Sequence, residues 1–246
     1  MRKLAVPLLV VLLLLGGCTA EGDAELSFAA QMQAFVAMGE GERAPFAFTI
    51  YFKSDAPPFK TDEVHTLSFP NAPDVAVELT DVTRDETKDG YAFYVLSIDL
   101  CARAQGVFSE DTLRVTTGET TLDYPIGAWR FDVGASAPEL ERVDLWQSPA
   151  ASSKADAFPY DYKLAEGARL VNIQIGEEIF ESPSEAGDLP LLDDLPLSYV
   201  RTKVTVEQSG REYDYYGKGC LCGALDIAEE AFAEMAAYPA AVVTAQ

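Results

Sequence analysis

A single histidine, His65, stands in a chain of 246 residues. Zinc centres built from several histidines are therefore excluded. One histidine would suffice for a Ser-His-Asp or Cys-His site, yet no G-x-S-x-G elbow or comparable nucleophile setting accompanies it. His65 opens the strand-like stretch HTLSF and reads as an edge residue. Basic residues are scarce as well: 18 Lys and Arg face 40 Asp and Glu, a formal charge of −22. Such a body repels phosphate backbones and anionic head groups, so nucleic acid is excluded as a partner. Acids spread along the whole chain serve solubility first, and a basic ligand is the sharper reading. After residue 15 no stretch is apolar enough to span a bilayer.

The chain opens MRKLAVPLLVVLLLLGGCTA, with Arg2 and Lys3 before an unbroken apolar run from Leu4 to Leu15. That run falls short of the roughly 20 residues of a permanent membrane helix and sits where an export signal belongs. The following Leu15-Gly16-Gly17-Cys18 resembles the lipobox of bacterial lipoproteins. The resemblance implies that residues 1–17 are removed and that the Cys18 thiol carries a diacylglycerol. A stable anchor requires more than one acyl chain. Residues 18–23 would then be a tether, holding the body by membrane lipid on the extracytoplasmic side of the cell membrane. Loss of Arg2 and Lys3 with the leader deepens the formal charge to −24.

In the body, 48% apolar and 11% aromatic residues argue for packed structure. In AELSFAAQMQAFVAMG, Phe28, Met32, Phe35 and Val36 recur at helical spacing between Asp23 and Gly39, which predicts a short amphipathic helix over 24–38. From Phe46 the period changes to two. Phe46, Phe48, Ile50 and Phe52 share a face; Val75, Val77 and Leu79 repeat the pattern, and so do Tyr94, Leu96, Ile98 and Leu100. With HTLSF, TLRVTT, TLDYPI and AWRFDV this gives about seven short strands, the pattern of an immunoglobulin-like β-sandwich over 24–134. GASAP at 134–138 reads as a boundary. Over 139–246 a second β-rich domain is expected, built from RVDLWQ, RLVNIQI, YVRTKVTVEQ and REYDYY, with a hairpin turn at Ser209-Gly210. Linker composition at 148–159 and a Pro-rich acidic loop at 182–197 interrupt it. ALDIAEEAFAEMAAY closes the chain as a helix suited to covering an open sheet face. The expected fold is thus mainly β, with a short helix at each end of the body.

Asp85, Thr87, Asp89 and Gly90 mimic the opening of an EF-hand loop, but position twelve is Leu96, already committed to a strand face. Asp89-Gly90 reads instead as a hairpin turn. Glu177 and Glu178, as strand neighbours, would point to opposite faces and make poor catalytic partners. Asp188, Asp193 and Asp194 in the acidic loop are candidate ligands for calcium or a basic partner. With Cys18 assigned to lipid, Cys101, Cys220 and Cys222 remain, an odd number in a compartment that permits disulfides. Cys101 shares its face with Ser97, Asp99 and Arg103, away from the main core. A disulfide from Cys101 to Cys220 or Cys222 leads; a Cys220–Cys222 redox pair, a three-thiolate soft-metal site and three reduced thiols stay open.

No cofactor is called for. The sequence reads as a lipid-anchored, non-catalytic binding or structural interaction module, whose partner is an envelope protein or a basic ligand. An exported carboxylate-dependent hydrolase is the alternative, followed by the solute-binding lipoprotein of a transporter, which the lack of strand-helix alternation disfavours.

Overall fold

The computed structural model describes residues 27–53, 55–86, 91–118, 120–136, 150–191, 195, 197–223 and 229–243. The leader, the tether with Cys18, the Asp89-Gly90 turn, RVDLWQ, Asp193 and Asp194 lie outside them.

Eight strands form the first half: β1 (Ser27–Ala29), β2 (Met32–Gly39), β3 (Arg43–Lys53), β4 (Val64–Ser68), β5 (Val75–Glu86), β6 (Tyr91–Ala102), β7 (Gly106–Thr117) and β8 (Thr121–Gly134). Their order is β1-β3-β6-β5 followed by β4-β7-β8-β2, with β5 and β4 joined through the single pair Leu67–Val77. Lettered along the chain as A, A′, B, C, D, E, F and G, these are an A-B-E-D sheet and a C-F-G sheet, with A′ parallel to G. That order is the immunoglobulin-like sandwich. The alternating faces fill its interior: Phe48, Ile50 and Phe52 from β3, Leu96, Ile98 and Leu100 from β6, and Tyr124, Trp129 and Phe131 from β8 are all buried. Each fully buried large side chain contributes about 1.5–3 kcal/mol. Phe46 and Phe48 each place their ring 5.1 Å from Trp129, and the indole donates to the Ile126 carbonyl at 3.1 Å.

TLDYPI and AWRFDV prove to be one strand, β8, bent at Gly127. The bend lies opposite a register shift between Glu110 and Thr112 on β7, and it lets Pro125 sit in the strand. Gly127 takes φ +85°, and a β-carbon there would stand 2.2 Å from the Met32 carbonyl oxygen.

The expected helix over 24–38 is instead the pair β1 and β2. Phe28, Met32, Phe35 and Val36 mimic helical spacing because β2 is covered on both faces. Met32, Ala34, Val36 and Met38 face the first core, while Phe35 packs into a second. A strand buried on both sides loses the polar alternation that marks an ordinary one.

The second half comprises β9 (Ala151–Ser152), β10 (Ala157–Asp161), β11 (Ala168–Ile175), β12 (Glu178–Glu181), β13 (Ala186–Pro190), β14 (Ser198–Arg201), β15 (Lys203–Gln208), β16 (Arg211–Tyr216) and β17 (Cys220–Cys222). Strands β12-β11-β15-β16 form a sheet, β10 and β13 pair as a ribbon, and β14-β17-β9 extend the first half's sheet through β2. Residues 148–159 and 182–197 are therefore not plain linker and loop: each contributes a strand to the β10–β13 ribbon, whose Phe158, Tyr160 and Leu189 enter the second core. YVRTKVTVEQ is divided at Thr202, where the chain passes from one sheet to another, and the buried Thr202 hydroxyl pairs with Tyr162 at 2.6 Å. The Ser209-Gly210 hairpin forms as expected, both residues at positive φ.

The inner sheet separates the two cores. On β14 and β17, Tyr199 and Leu221 face the first, while Val200, Cys220 and Cys222 face the second. The chain then returns to the first sandwich. Helix α1 (Glu229–Met235) lays Phe232 against Phe28, Tyr51 and Tyr91, with ring centroids 4.9–5.4 Å apart. Strand β18 (Ala241–Val242) pairs with Leu122 and Asp123 of β8, beyond the stretch that β2 occupies. The C-terminal segment, expected with the second domain, thus packs on the first.

Gly127→Ala is expected to cost at least about 3 kcal/mol, combining positive-φ strain with a backbone collision, or roughly 10 °C in a thermal melt. Gly41→Ala, at φ +77° with no atom within 4 Å of the added carbon, should cost only about 1 kcal/mol. Burial pushes the Tyr124 and Tyr162 hydroxyls above their ordinary value of 10.0. A group raised in the folded state lends stability that is complete below its unfolded pKa and is lost as pH rises. Denaturant midpoints should therefore fall above pH 10, less steeply in Tyr124→Phe.

Candidate functional site

The junction of the two halves is built around Arg201, on the last position of β14. Its side chain is buried, Nε donates to the Gly217 carbonyl at 2.8 Å, and Nη2 pairs with the Glu42 carboxylate. The second oxygen of Glu42 accepts from the Gly39 backbone N–H at 2.9 Å, closing the turn that follows β2. Tyr216 donates to the Ala135 carbonyl at 2.9 Å across the same seam, and desolvation pushes its hydroxyl up. Gly134 leaves room for it: an added β-carbon would stand 2.4 Å from the Tyr216 oxygen. A charge this deeply placed is tolerated because Nε and Nη2 are hydrogen-bonded and paired, although buried Nη1 has no hydrogen-bond partner among the described residues.

On the outer side of the seam Arg130 projects from β8. Nε and Nη2 hold Asp132 at 3.1 and 3.2 Å, and Nη1 reaches Glu177 at 2.8 Å. Hydrogen bonding to Asp132, then Glu177, pushes the guanidinium still further up. Arg130 lines two clefts. One of about 280 Å³ has an apolar floor of Phe35, Ile175, Pro190 and Leu191 with Glu177 and Glu178 at the rim. The other, about 450 Å³, lies between Asn71, Ser109, Glu110, Asp111 and Trp129. The two clefts meet at Arg130, the one cation among their described lining residues, and this groove carries the exposed carboxylates of Asp111, Glu177 and Glu178, a setting that favours a cationic guest.

The acids in the groove are committed to structure. Buried Glu110 accepts five bonds of 2.8–3.2 Å, from the Asn71 backbone and side chain and from the backbone N–H groups of Ala72, Asp111 and Thr112. It fastens the loop after β4 to the bulge in β7. Glu177 is no strand neighbour of Glu178: Gly176, at φ +59°, and Glu177 are the two-residue turn between β11 and β12. A β-carbon on Gly176 would stand 2.7 Å from the Phe35 ring, so the turn is held against β2.

The other sequence candidates lie apart from this groove. Asp188 sits in β13 opposite Pro159 and pairs with Lys154. Among the described residues no three His, Cys, Asp or Glu side chains gather as metal ligands. His65 is exposed on β4, beside Gly118. Cys101 lies half-buried on β6, between Arg43 and Ala76 of the flanking strands. Cys220 and Cys222 are fully buried in the second core with their sulfurs 3.9 Å apart. All three thiols are free, and the structure brings the second and third together without the first. Arg130, Arg201, Glu42 and Glu110 escaped sequence reasoning; the Glu42–Arg201 pair spans 159 positions, and no local signal marks it.

No protein-family model and no curated protein sequence matches the chain. Solved structures similar to it include a chimeric titin Z1Z2 carrying a decorin-derived KLER peptide, 13% identical over 80% of this chain and 96% of that one, TM-score 0.23. The fibronectin(III)-like modules of Clostridium thermocellum CbhA are 10% identical over 83% and 98%, TM-score 0.25. The tandem Ig repeats of Dlar are 9% identical over 80% and 96%, TM-score 0.23. The immunoglobulin-like assignment rests on strand order and pairing, not on these superpositions.

Glu42→Gln should destabilise the protein by about 2 kcal/mol, because it leaves the buried Arg201 charge poorly paired. The cost is below that of a fully buried pair, since Glu42 is 35% exposed. Adding Arg201→Met should recover part of the loss, a coupling that urea titration of the two singles and the double would read.

Proposed function

We propose that this protein is a lipoprotein held by lipid on Cys18 at the extracytoplasmic side of the cell membrane, with its body serving as a non-catalytic binding module for a basic partner. The partner is an envelope protein or ligand presenting lysine or arginine side chains. The commitment of the groove's carboxylates supports this reading best. Glu110 spends its oxygens on backbone donors and Glu177 is held by Arg130, so the groove offers an acidic rim of exposed Asp111, Glu177 and Glu178 in place of a poised acid and base. Catalysis by two carboxylates needs them facing one another across a bond, one kept protonated. A rim of fixed charge instead steers a cation and orients it. The formal charge of −22 acts in the same direction at longer range.

The anchor and the groove are tested separately. With Cys18→Ala the protein should move from the membrane to the soluble fraction and lose its acylated N-terminal peptide; unchanged fractionation would remove the anchor. A lysine- and arginine-rich peptide titrated calorimetrically should bind more weakly as salt rises. It should bind about tenfold more weakly to the triple variant Asp111→Asn, Glu177→Gln, Glu178→Gln, as three exposed pairs of about 0.5 kcal/mol each would give. Equal affinity in the triple variant would remove the groove.

A further inference from the structure

The second core contains an arrangement that the groove does not use. Cys220 and Cys222 occupy alternate positions of β17, so both side chains leave the strand on the same side. They are wholly buried, yet their sulfurs lie 3.9 Å apart, with the Cys222 thiol donating to Cys220. That shared bond pushes the Cys220 thiol below its ordinary range and, together with burial, holds Cys222 above it. The strand carrying them is only three residues long. Gly219 precedes it and Gly223, at φ +83°, follows it, so the strand is flanked on both sides by residues without a β-carbon.

We propose that Cys220 and Cys222 are an intra-strand disulfide site, closed by exchange with a disulfide-bearing oxidant, either a small-molecule disulfide or a disulfide oxidoreductase. The balance is simple. The Cys220 thiolate attacks one sulfur of the donor and releases the first donor thiol; Cys222 then attacks Cys220 in the mixed disulfide, releasing the second. Two protein thiols lose two electrons and two protons, and one donor disulfide becomes two thiols. Geometry permits closure at a cost. Two residues of extended strand span about 6.6–6.8 Å between α-carbons, the upper end of the range a disulfide bridges. The strand must shorten slightly, and the sulfurs must approach from 3.9 Å to bonding distance. Such a strained bridge is more readily reduced than a relaxed structural one. Because the folded core shields both sulfurs, exchange belongs to folding or to local opening of β17, whose outer edge pairs with the two-residue β9 and gives one further bond, from the Leu221 N–H to the Ala150 carbonyl at 2.9 Å.

The chemistry excludes the third thiol by placement: Cys101 lies on β6 of the first sandwich, and the partner sulfurs face the second core. That closure happens in the cell rests on the extracytoplasmic location proposed above; the capacity for it does not.

The sequence supplies a clean readout. Lys218 is the last basic residue, so trypsin releases Cys220 and Cys222 together in peptide 219–246, while Cys101 leaves in peptide 89–103. The full-length protein would be reduced, unfolded and refolded in a series of oxidised and reduced glutathione ratios, alkylated under denaturing conditions, and digested. At the oxidising end, peptide 219–246 should be two hydrogens lighter and unalkylated, and peptide 89–103 alkylated. Peptide 219–246 with two alkyl groups throughout the series would overturn the proposal, as would a cross-link to peptide 89–103 or a persistent glutathione adduct on Cys220. These outcomes do not depend on the anchor. A bridge that forms in glutathione but is absent from protein isolated from cells under alkylation would instead count against the extracytoplasmic location.

Discussion

Strand β2 is hydrogen-bonded along both edges and covered on both faces, and the arrangement of the molecule follows from that constraint. It runs parallel to β8 on one side and to β14 on the other, so its N–H and C=O groups find partners in both halves of the chain. A strand in this position has no exposed face to solvate, and every side chain must be absorbed by packing. The first core takes Met32, Ala34, Val36 and Met38, and the second takes Phe35. The first sandwich and the second β-rich half therefore share one inner sheet, with a core on each side of it.

The features at the seam depend on this sharing. Parallel pairing of β2 with β14 brings Arg201 level with Val36, within reach of Glu42 in the turn beyond β2. The same pairing sets the Gly176-Glu177 turn against Phe35 and so carries Glu177 to Arg130. The groove is thus a consequence of the docking angle of two sheets, and its charge of the acids that each half happens to present there. Glu110 serves the same end from the other side: a carboxylate saturated with backbone donors fixes the bulge that lets β8 turn toward β2.

Much of the first sandwich was legible because its strands bury one face each. The phases of Phe46 to Phe52 and Tyr94 to Leu100 matched the observed interior residue by residue, and the Ser209-Gly210 hairpin followed from turn chemistry alone. The misreadings have two causes. Where both faces are buried, as in AFVAMG, apolar residues are contiguous and imitate a helical stripe. Where a strand is polar and short, as in AGDLP, nothing local separates it from loop, and only its partner AFPYD gives it an extended conformation.

The amino-acid order by itself determined the class of the fold, the acidic character of the surface, and the expectation of an export signal with Cys18 at its end, because periodicity, net charge and a short apolar run are local or additive properties. The tertiary structure alone decided that two cores share one sheet, that Arg130 and Arg201 line the seam, that the C-terminal helix folds back on the first sandwich, and that Cys220 faces Cys222 and not Cys101. Each of these joins residues far apart in the chain through a register or a docking of sheets, and no local pattern encodes which face meets which.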